Sequence, residues 1–306
     1  MSRAALKNFS NLWTAHMNTI DRIQQASEKI VKARPSYKEI LDFYSRVYTA
    51  QEKSRSSVKI DPIVIPDALL ELKRENAMPM ADPKDFVIDI ENSESLLLKI
   101  CSLAIDLAPG FSDSAVRIKQ AIADRTLPME ELFPALLEKE TEKIDSLADR
   151  LDISQEPLVL FGYLSMVPSL EANAEQLESY LEPDHIHQKG YCPICGGLPE
   201  LALFNEDGKR VLKCSFCNHR WQTARMGCVF CSNTDKELQQ YFYSKEEEEY
   251  RVDLCDHCQT YIKVVDMRKL NRSFHPGLEM MATLHLDMKA RKIGYISRTA
   301  PGMQTG

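Results

Sequence analysis

Eight cysteines in four C-x-x-C pairs between positions 192 and 258 constrain this chain more than any other feature. The pairs are Cys192/Cys195, Cys214/Cys217, Cys228/Cys231 and Cys255/Cys258. Two cysteines three apart turn both sulfurs toward one point in a tight knuckle, with backbone N–H groups facing the thiolates. Closing the knuckle favours a residue that tolerates positive φ just after the second cysteine. Gly196 and Asn218 suit that position, and Ser232 and Gln259 suit it less.

The inner gaps are 18 residues (196 to 213) and 23 residues (232 to 254), and each reads as a β-hairpin. In the first, Leu198–Phe204 and Arg210–Lys213 flank Asn205-Glu206-Asp207-Gly208, a recognised hairpin turn signal. In the second, Leu238–Tyr243 and Tyr250–Leu254 flank Lys245–Glu249, whose four glutamates read as a solvated loop end. Two C-x-x-C pairs joined through a hairpin are the spacing class of zinc ribbons and rubredoxin-like modules, and here the pattern occurs twice in tandem. Redox dithiols usually occur once, on a βαβ framework missing here, so metal ligation is the favoured reading of all eight cysteines. Sequential pairing gives two four-cysteine sites; a cross-braced pairing stays open. Four thiolates suit Zn²⁺ or a mononuclear iron equally, so the expected cofactors are two metal ions, iron or zinc, each bound by four cysteines. A module this short needs its ions in order to fold, which puts a purely structural role slightly ahead of a redox or transfer role.

The rest of the chain reads as mostly helical. Tyr37, Ile40, Leu41, Tyr44, Val47 and Tyr48 share one helical face after the start signal Pro35-Ser36. A loop punctuated by Pro62, Pro66, Pro79 and Pro83 follows. Further helices are expected over Glu94–Leu107, Asp113–Asp124, Met129–Leu151, Glu156–Val167 and Leu170–Leu181. Pro183–Gly190 reads as a linker, and Gly277–Tyr295 as one more helix before a disordered end. The expected fold class is α+β: an N-terminal helical bundle (1–185), two tandem rubredoxin-like or zinc-ribbon four-cysteine modules (190–226 and 227–275), and a C-terminal helix and tail (276–306).

Charge and composition count against several partners. Up to residue 188 there are 21 basic against 31 acidic residues, and the metal region is near neutral. Neither is the electropositive footprint that nucleic acid or anionic lipid attracts. No apolar run reaches the length of about 18 residues needed to span a membrane, and Met1–Phe9 lacks the apolar stretch of a secretory leader, so a cytoplasmic protein is expected. The ninth cysteine, Cys101, lies in an apolar helix and reads as a core thiol. His185, His187, His219 and His257 lie near the metal region but are surplus to two complete tetrathiolate sites. Trp221 and Arg225 join the two modules; stacked together they would be packing, and exposed together a contact for a partner. No phosphate loop, G-x-S-x-G or H-E-x-x-H is present, which lowers the expectation of an enzyme, and no catalytic residue is assigned.

The segments Gly190–Gly196, Leu212–Cys217, Trp221–Cys231 and Arg251–Lys263 together resemble the formate dehydrogenase accessory proteins of the FdhE type. Met281–Met288 and Arg34–Gln51 extend the resemblance to the tail and the helical half, the latter more weakly. It implies a non-enzymatic cytoplasmic maturation factor that contacts the catalytic subunit of formate dehydrogenase. It also implies that the eight cysteines bind iron or zinc in rubredoxin-like modules. Two readings from other classes stand beside it: a zinc-ribbon nucleic-acid-binding or transcription-related protein, and a rubredoxin-like electron-transfer or redox-sensing protein.

Overall fold

A computed structural model describes residues 18–182 and 186–299. The reading of Met1–Phe9, the linker residues Pro183, Asp184 and His185, and the end of the tail beyond 299 lie outside these residues.

The helical half begins with α1 (Thr19–Ala33), whose N-terminus is capped by the Asn18 side chain accepting from Asp21 N. Ile23, Ala26, Ser27 and Ile30 recur at helical spacing and are buried. Next come α2 (Lys38–Arg55), α3 (Asp67–Glu75), α4 (Ile90–Leu107), α5 (Ser112–Ala123), α6 (Met129–Glu138), α7 (Thr141–Arg150) and α8 (Gln155–Glu178). α3 lies within the proline-punctuated stretch read as loop, and it buries none of its residues.

Two sequence expectations fail here for physical reasons. The single helix expected over Met129–Leu151 breaks at Lys139, which takes the left-handed conformation at φ +57° and ends α6. The two helices expected either side of Pro168 are instead one, α8. Proline removes the N–H that would serve the carbonyl four residues back, at Leu164. Gln51 of α2 serves it instead, its Nε2 donating to Leu164 O at 2.7 Å. The helix continues because tertiary structure replaces the missing bond.

The cysteine region forms one six-stranded sheet in the order β3-β2-β1-β6-β5-β4. Its strands are β1 (Pro199–Phe204), β2 (Arg210–Cys214), β3 (Arg220–Gln222), β4 (Gln239–Tyr243), β5 (Tyr250–Cys255) and β6 (Thr260–Asp266). Both expected hairpins are there, β1–β2 and β4–β5. Each is extended by a third strand after its second C-x-x-C pair, β3 and β6, which the sequence reading did not identify. The two three-stranded units join side by side, β1 running parallel to β6 from Leu201↔Lys263 to Phe204↔Asp266. Alternation along these central strands feeds both faces. Leu201, Leu203, Tyr261 and Val265 pack with Leu286 and Ala290, while Ala202, Phe204, Ile262 and Val264 join the core of the helical half.

The tail is two short helices, α9 (Pro276–Ala282) and α10 (Leu284–Lys292), parted at Thr283. α9 returns to the helical half, where Leu278 and Ala282 share a small core with Ile23, Ala26, Ile30 and Leu41. Gly277 permits this approach, because a Cβ there would collide with the Tyr48 ring. α10 covers the sheet, and its Asp287 holds the buried Lys263 ammonium at 2.6 Å. Glu247, in the acidic tip read as solvated, bridges Arg34 of the helical half at 2.5 Å and His285 of the tail at 2.9 Å.

Candidate metal centres

The local chain geometry turns each cysteine pair inward. In three knuckles the N–H after the second cysteine donates back to the first cysteine's carbonyl: Gly196 to Cys192 at 2.9 Å, Ser232 to Cys228 at 3.0 Å and Gln259 to Cys255 at 2.8 Å. The residue after each second cysteine has positive φ in all four pairs: Gly196 +74°, Asn218 +59°, Ser232 +59° and Gln259 +55°. The turn imposes this conformation whether or not the side chain suits it. N–H groups of Gly197, Phe216 and Phe230 point at the sulfurs of Cys195, Cys214 and Cys228 at 3.3–3.4 Å.

The eight sulfurs gather in two groups, each with its ligand atoms within 4.8 Å of one another: Cys192, Cys195, Cys214 and Cys217, and then Cys228, Cys231, Cys255 and Cys258. The nearest pairs are Cys192–Cys217 at 3.6 Å, Cys195–Cys214 at 3.4 Å, Cys228–Cys258 at 3.6 Å and Cys231–Cys255 at 3.7 Å. A disulfide would need about 2.05 Å. Four sulfurs about 2.3 Å from a central ion in a tetrahedron lie about 3.8 Å apart, so these spacings fit a tetrathiolate ion. Both groups can therefore hold a metal ion, and the donor set is that of zinc or iron. The electrostatics agree. Burial holds the Cys192 thiol well above its ordinary range, while hydrogen bonds from Cys192, Cys195 and Cys217 pull Cys214 well below it. Packed thiols without a cation share charge unequally, and a divalent cation at their centre removes that penalty.

The two centres sit in different surroundings. The first is built into the main core, with Cys192 0%, Cys195 2%, Cys214 0% and Cys217 1% exposed. The loop after α3 covers it, Met80 N and Ala81 N donating to the Pro193 and Ile194 carbonyls at 3.0 and 2.9 Å. Phe216, inside its second knuckle, stacks on Phe86 at 5.3 Å between centroids, and Asn218 donates to Glu171 of α8 at 2.8 Å. In the second centre Cys255 is buried but Cys228, Cys231 and Cys258 are partly exposed. Its sulfurs receive two side-chain contacts that the sequence did not signal, Thr260 Oγ1 with Cys258 at 2.9 Å and Gln239 Nε2 with Cys255 at 3.6 Å.

The other singled-out residues lie elsewhere. Cys101 is buried in α4, its thiol pushed up to about 12 by burial, and it joins neither group. Among the described residues no histidine joins either group. His219 is buried against Trp221 with its pKa lowered to about 4 by burial, His187 is buried beside Tyr191, and His257 is exposed. Trp221 and Arg225 do not stack on each other. The indole is buried beside His219, whereas the Arg225 guanidinium lies 5.8 Å over the Phe204 ring.

A helical body fused to a ribbon sheet with two tetrathiol centres defines the class as a tandem metal-ribbon protein. Comparison with known proteins narrows it. The family description "FdhE, C-terminal domain" matches residues 226–303. The Protein FdhE homolog of Aquifex aeolicus is 36% identical over 112 residues, 35% of this chain and 39% of that protein. Protein FdhE of Escherichia coli K12 is 23% identical over 79% of this chain and 91% of its own length. The crystal structure of the FdhE protein from Pseudomonas aeruginosa shares the fold, with a TM-score of 0.59 over 93% of this chain and 96% of that one at 19% identity. The chain is thus similar to FdhE proteins, matching their C-terminal domain over residues 226–303 and sharing the fold of a solved FdhE structure.

Proposed function

We propose that this chain is a non-enzymatic accessory factor that matures formate dehydrogenase in the cytoplasm by binding its catalytic subunit. Similarity to FdhE proteins supports the accessory role, and the tandem four-cysteine centres on one sheet carry the reading. In this reading Cys192, Cys195, Cys214 and Cys217 hold one ion in module 190–226. Cys228, Cys231, Cys255 and Cys258 hold the other in module 227–275. The helical half supplies a docking surface, and the tandem metal modules a rigid or redox-sensitive second one. Bound zinc would supply structure alone, and bound iron would add a one-electron couple. The chain's own residues hold the thiolates inward, feed them N–H groups and bury the first set away from water. Among the described residues no helix is long and apolar enough to cross a membrane.

Affinity purification of the full chain from a cell extract should recover a formate dehydrogenase catalytic subunit, and a deletion strain should lose formate oxidation. Normal oxidation in the deletion strain with no subunit recovered overturns the proposal. The partial exposure of the second centre favours one further reading, an electron-transfer or redox-sensing partner. Anaerobic purification yielding a colourless zinc protein overturns that reading.

A further inference from the structure

We propose that the two centres are unequal by construction. The first is a closed centre that holds the ribbon to the helical body. The second is an exchange centre, able to give up its ion by ligand exchange to a metal-binding partner while the rest of the fold stays intact. This rests on the metal reading of the two cysteine groups given above.

Three independent observations carry it. The first is access. A chelator must reach the ion between its ligand sulfurs, and a maleimide must reach a sulfur itself, and all four sulfurs of the first centre are within residues at most 2% exposed. Three of the four ligands of the second are partly exposed, as are Phe230 and Asp256 inside its knuckles, and His257 is exposed.

The second observation is what each centre holds in place. The first is covered by the Met80-Ala81 backbone, by Phe86 on Phe216 and by Glu171 on Asn218, all from the helical half. Pro79 lies 3.1 Å from where a Gly196 Cβ would be. Losing the first ion therefore opens an interface between two halves of the molecule. The second centre meets the main core through Val229 and Phe230 of its first knuckle, but it fastens the start of its module to the β5–β6 turn, and β4, β5 and β6 remain paired through their own ladders without it.

The third observation is strain. All four knuckles need a left-handed residue after the second cysteine. The first centre supplies Gly196 and Asn218, which enter that region readily. The second supplies Ser232 and Gln259, whose side chains disfavour it. The ion helps the turn hold this strain closed, so ion release lets the second centre relax and gains little at the first.

The test is stepwise chelation of the full chain reconstituted with zinc, following released zinc by absorbance of an indicator and labelled thiols by mass spectrometry after maleimide treatment. Two phases are expected, at least tenfold apart in rate, each releasing one equivalent. Cys228, Cys231 and Cys258 should be labelled in the fast phase while Cys192, Cys195, Cys214 and Cys217 stay protected and the circular dichroism is unchanged. Ser232→Gly and Gln259→Gly should slow the fast phase several-fold and leave the slow phase alone. Release in a single phase, or first labelling at Cys192–Cys217, overturns the proposal while the metal reading survives. Failure to take up two equivalents of zinc, with all eight thiols labelled together, overturns the metal reading and the proposal with it.

Discussion

The residue that most changes how this chain is read is Gln51. Pro168 sits inside an apolar run and looks like the end of one helix and the start of another. The structure keeps the helix whole because Gln51 supplies the donor that the proline ring removes. Nothing local to Pro168 announces this, since the two residues are far apart in sequence. Gln51→Leu should keep the volume but leave the Leu164 carbonyl unpaired, costing about 1–3 kcal/mol in urea unfolding. In a Pro168→Ala background the N–H at position 168 can serve that carbonyl, so the same substitution should cost much less. Equal costs in both backgrounds would show that Gln51 acts through packing alone. The knuckle residues make the same point from the opposite side. Gly196 and Asn218 were readable as left-handed positions from their chemistry, whereas Ser232 and Gln259 adopt the same φ only because the turn closes around their cysteine pairs.

Among the elements, α9 shows how a short helix is fixed from outside. It has seven residues and too few turns to stand alone. His275 caps it, the Nδ1 lone pair accepting from Leu278 N at 3.4 Å, with the ring 4.5 Å from that of Tyr48. Burial first, then the charges of Lys213 and Arg220, lower the His275 pKa from its ordinary 6.5 to about 3. A base with a lowered folded pKa leaves the unfolded chain binding more protons. Its contribution is therefore present above pH 6.5 and is lost as pH falls from 6.5 toward about 3. Protonation also removes the lone pair that forms the cap. His275→Asn keeps a capping side chain without the titration, so its stability should fall less steeply than the wild type's over that window, measured by urea midpoints at successive pH values. Identical pH profiles for the two proteins would rule out the ring as the source. Strands β3 and β6 teach a related lesson. The hairpins carried turn signals in the sequence, but the third strand of each unit follows a cysteine knuckle and has no turn signal of its own.

For the whole molecule, the ribbon and the helical body are not independent. One continuous buried cluster runs from Leu136 and Phe161 of the helices through Phe86 to Cys192, Cys195, Cys214 and Cys217. Arg34, Glu247 and His285 tie helical half, acidic tip and tail together on the other side. Cys192→Ser should therefore lower bound zinc to one equivalent and destabilise the helices as well, by more than about 3 kcal/mol in urea unfolding followed by circular dichroism. Cys255→Ser should also lose one equivalent yet leave the helical transition nearly in place. Equal loss of helix stability in the two variants would mean that the first centre has no special share in holding the halves together.

The sequence by itself determined the two four-cysteine groups that could hold a metal and the class of fold. C-x-x-C spacing, hairpin turn residues and helical periodicity are local patterns, and the atoms they bring together lie within a few residues or one turn of each other. Even the tandem of two four-cysteine centres was legible, because each centre closes over a single hairpin. Only the tertiary structure decided how these parts meet. That β1 runs beside β6, that Gln51 rescues Pro168, that Glu247 binds Arg34 instead of water, and that one centre is closed while the other is open all depend on residues distant in sequence. Burial is a property of what packs over a residue, and no spacing between cysteines encodes it. The four pairs read alike in the sequence, and the structure separates them into two centres with different surroundings.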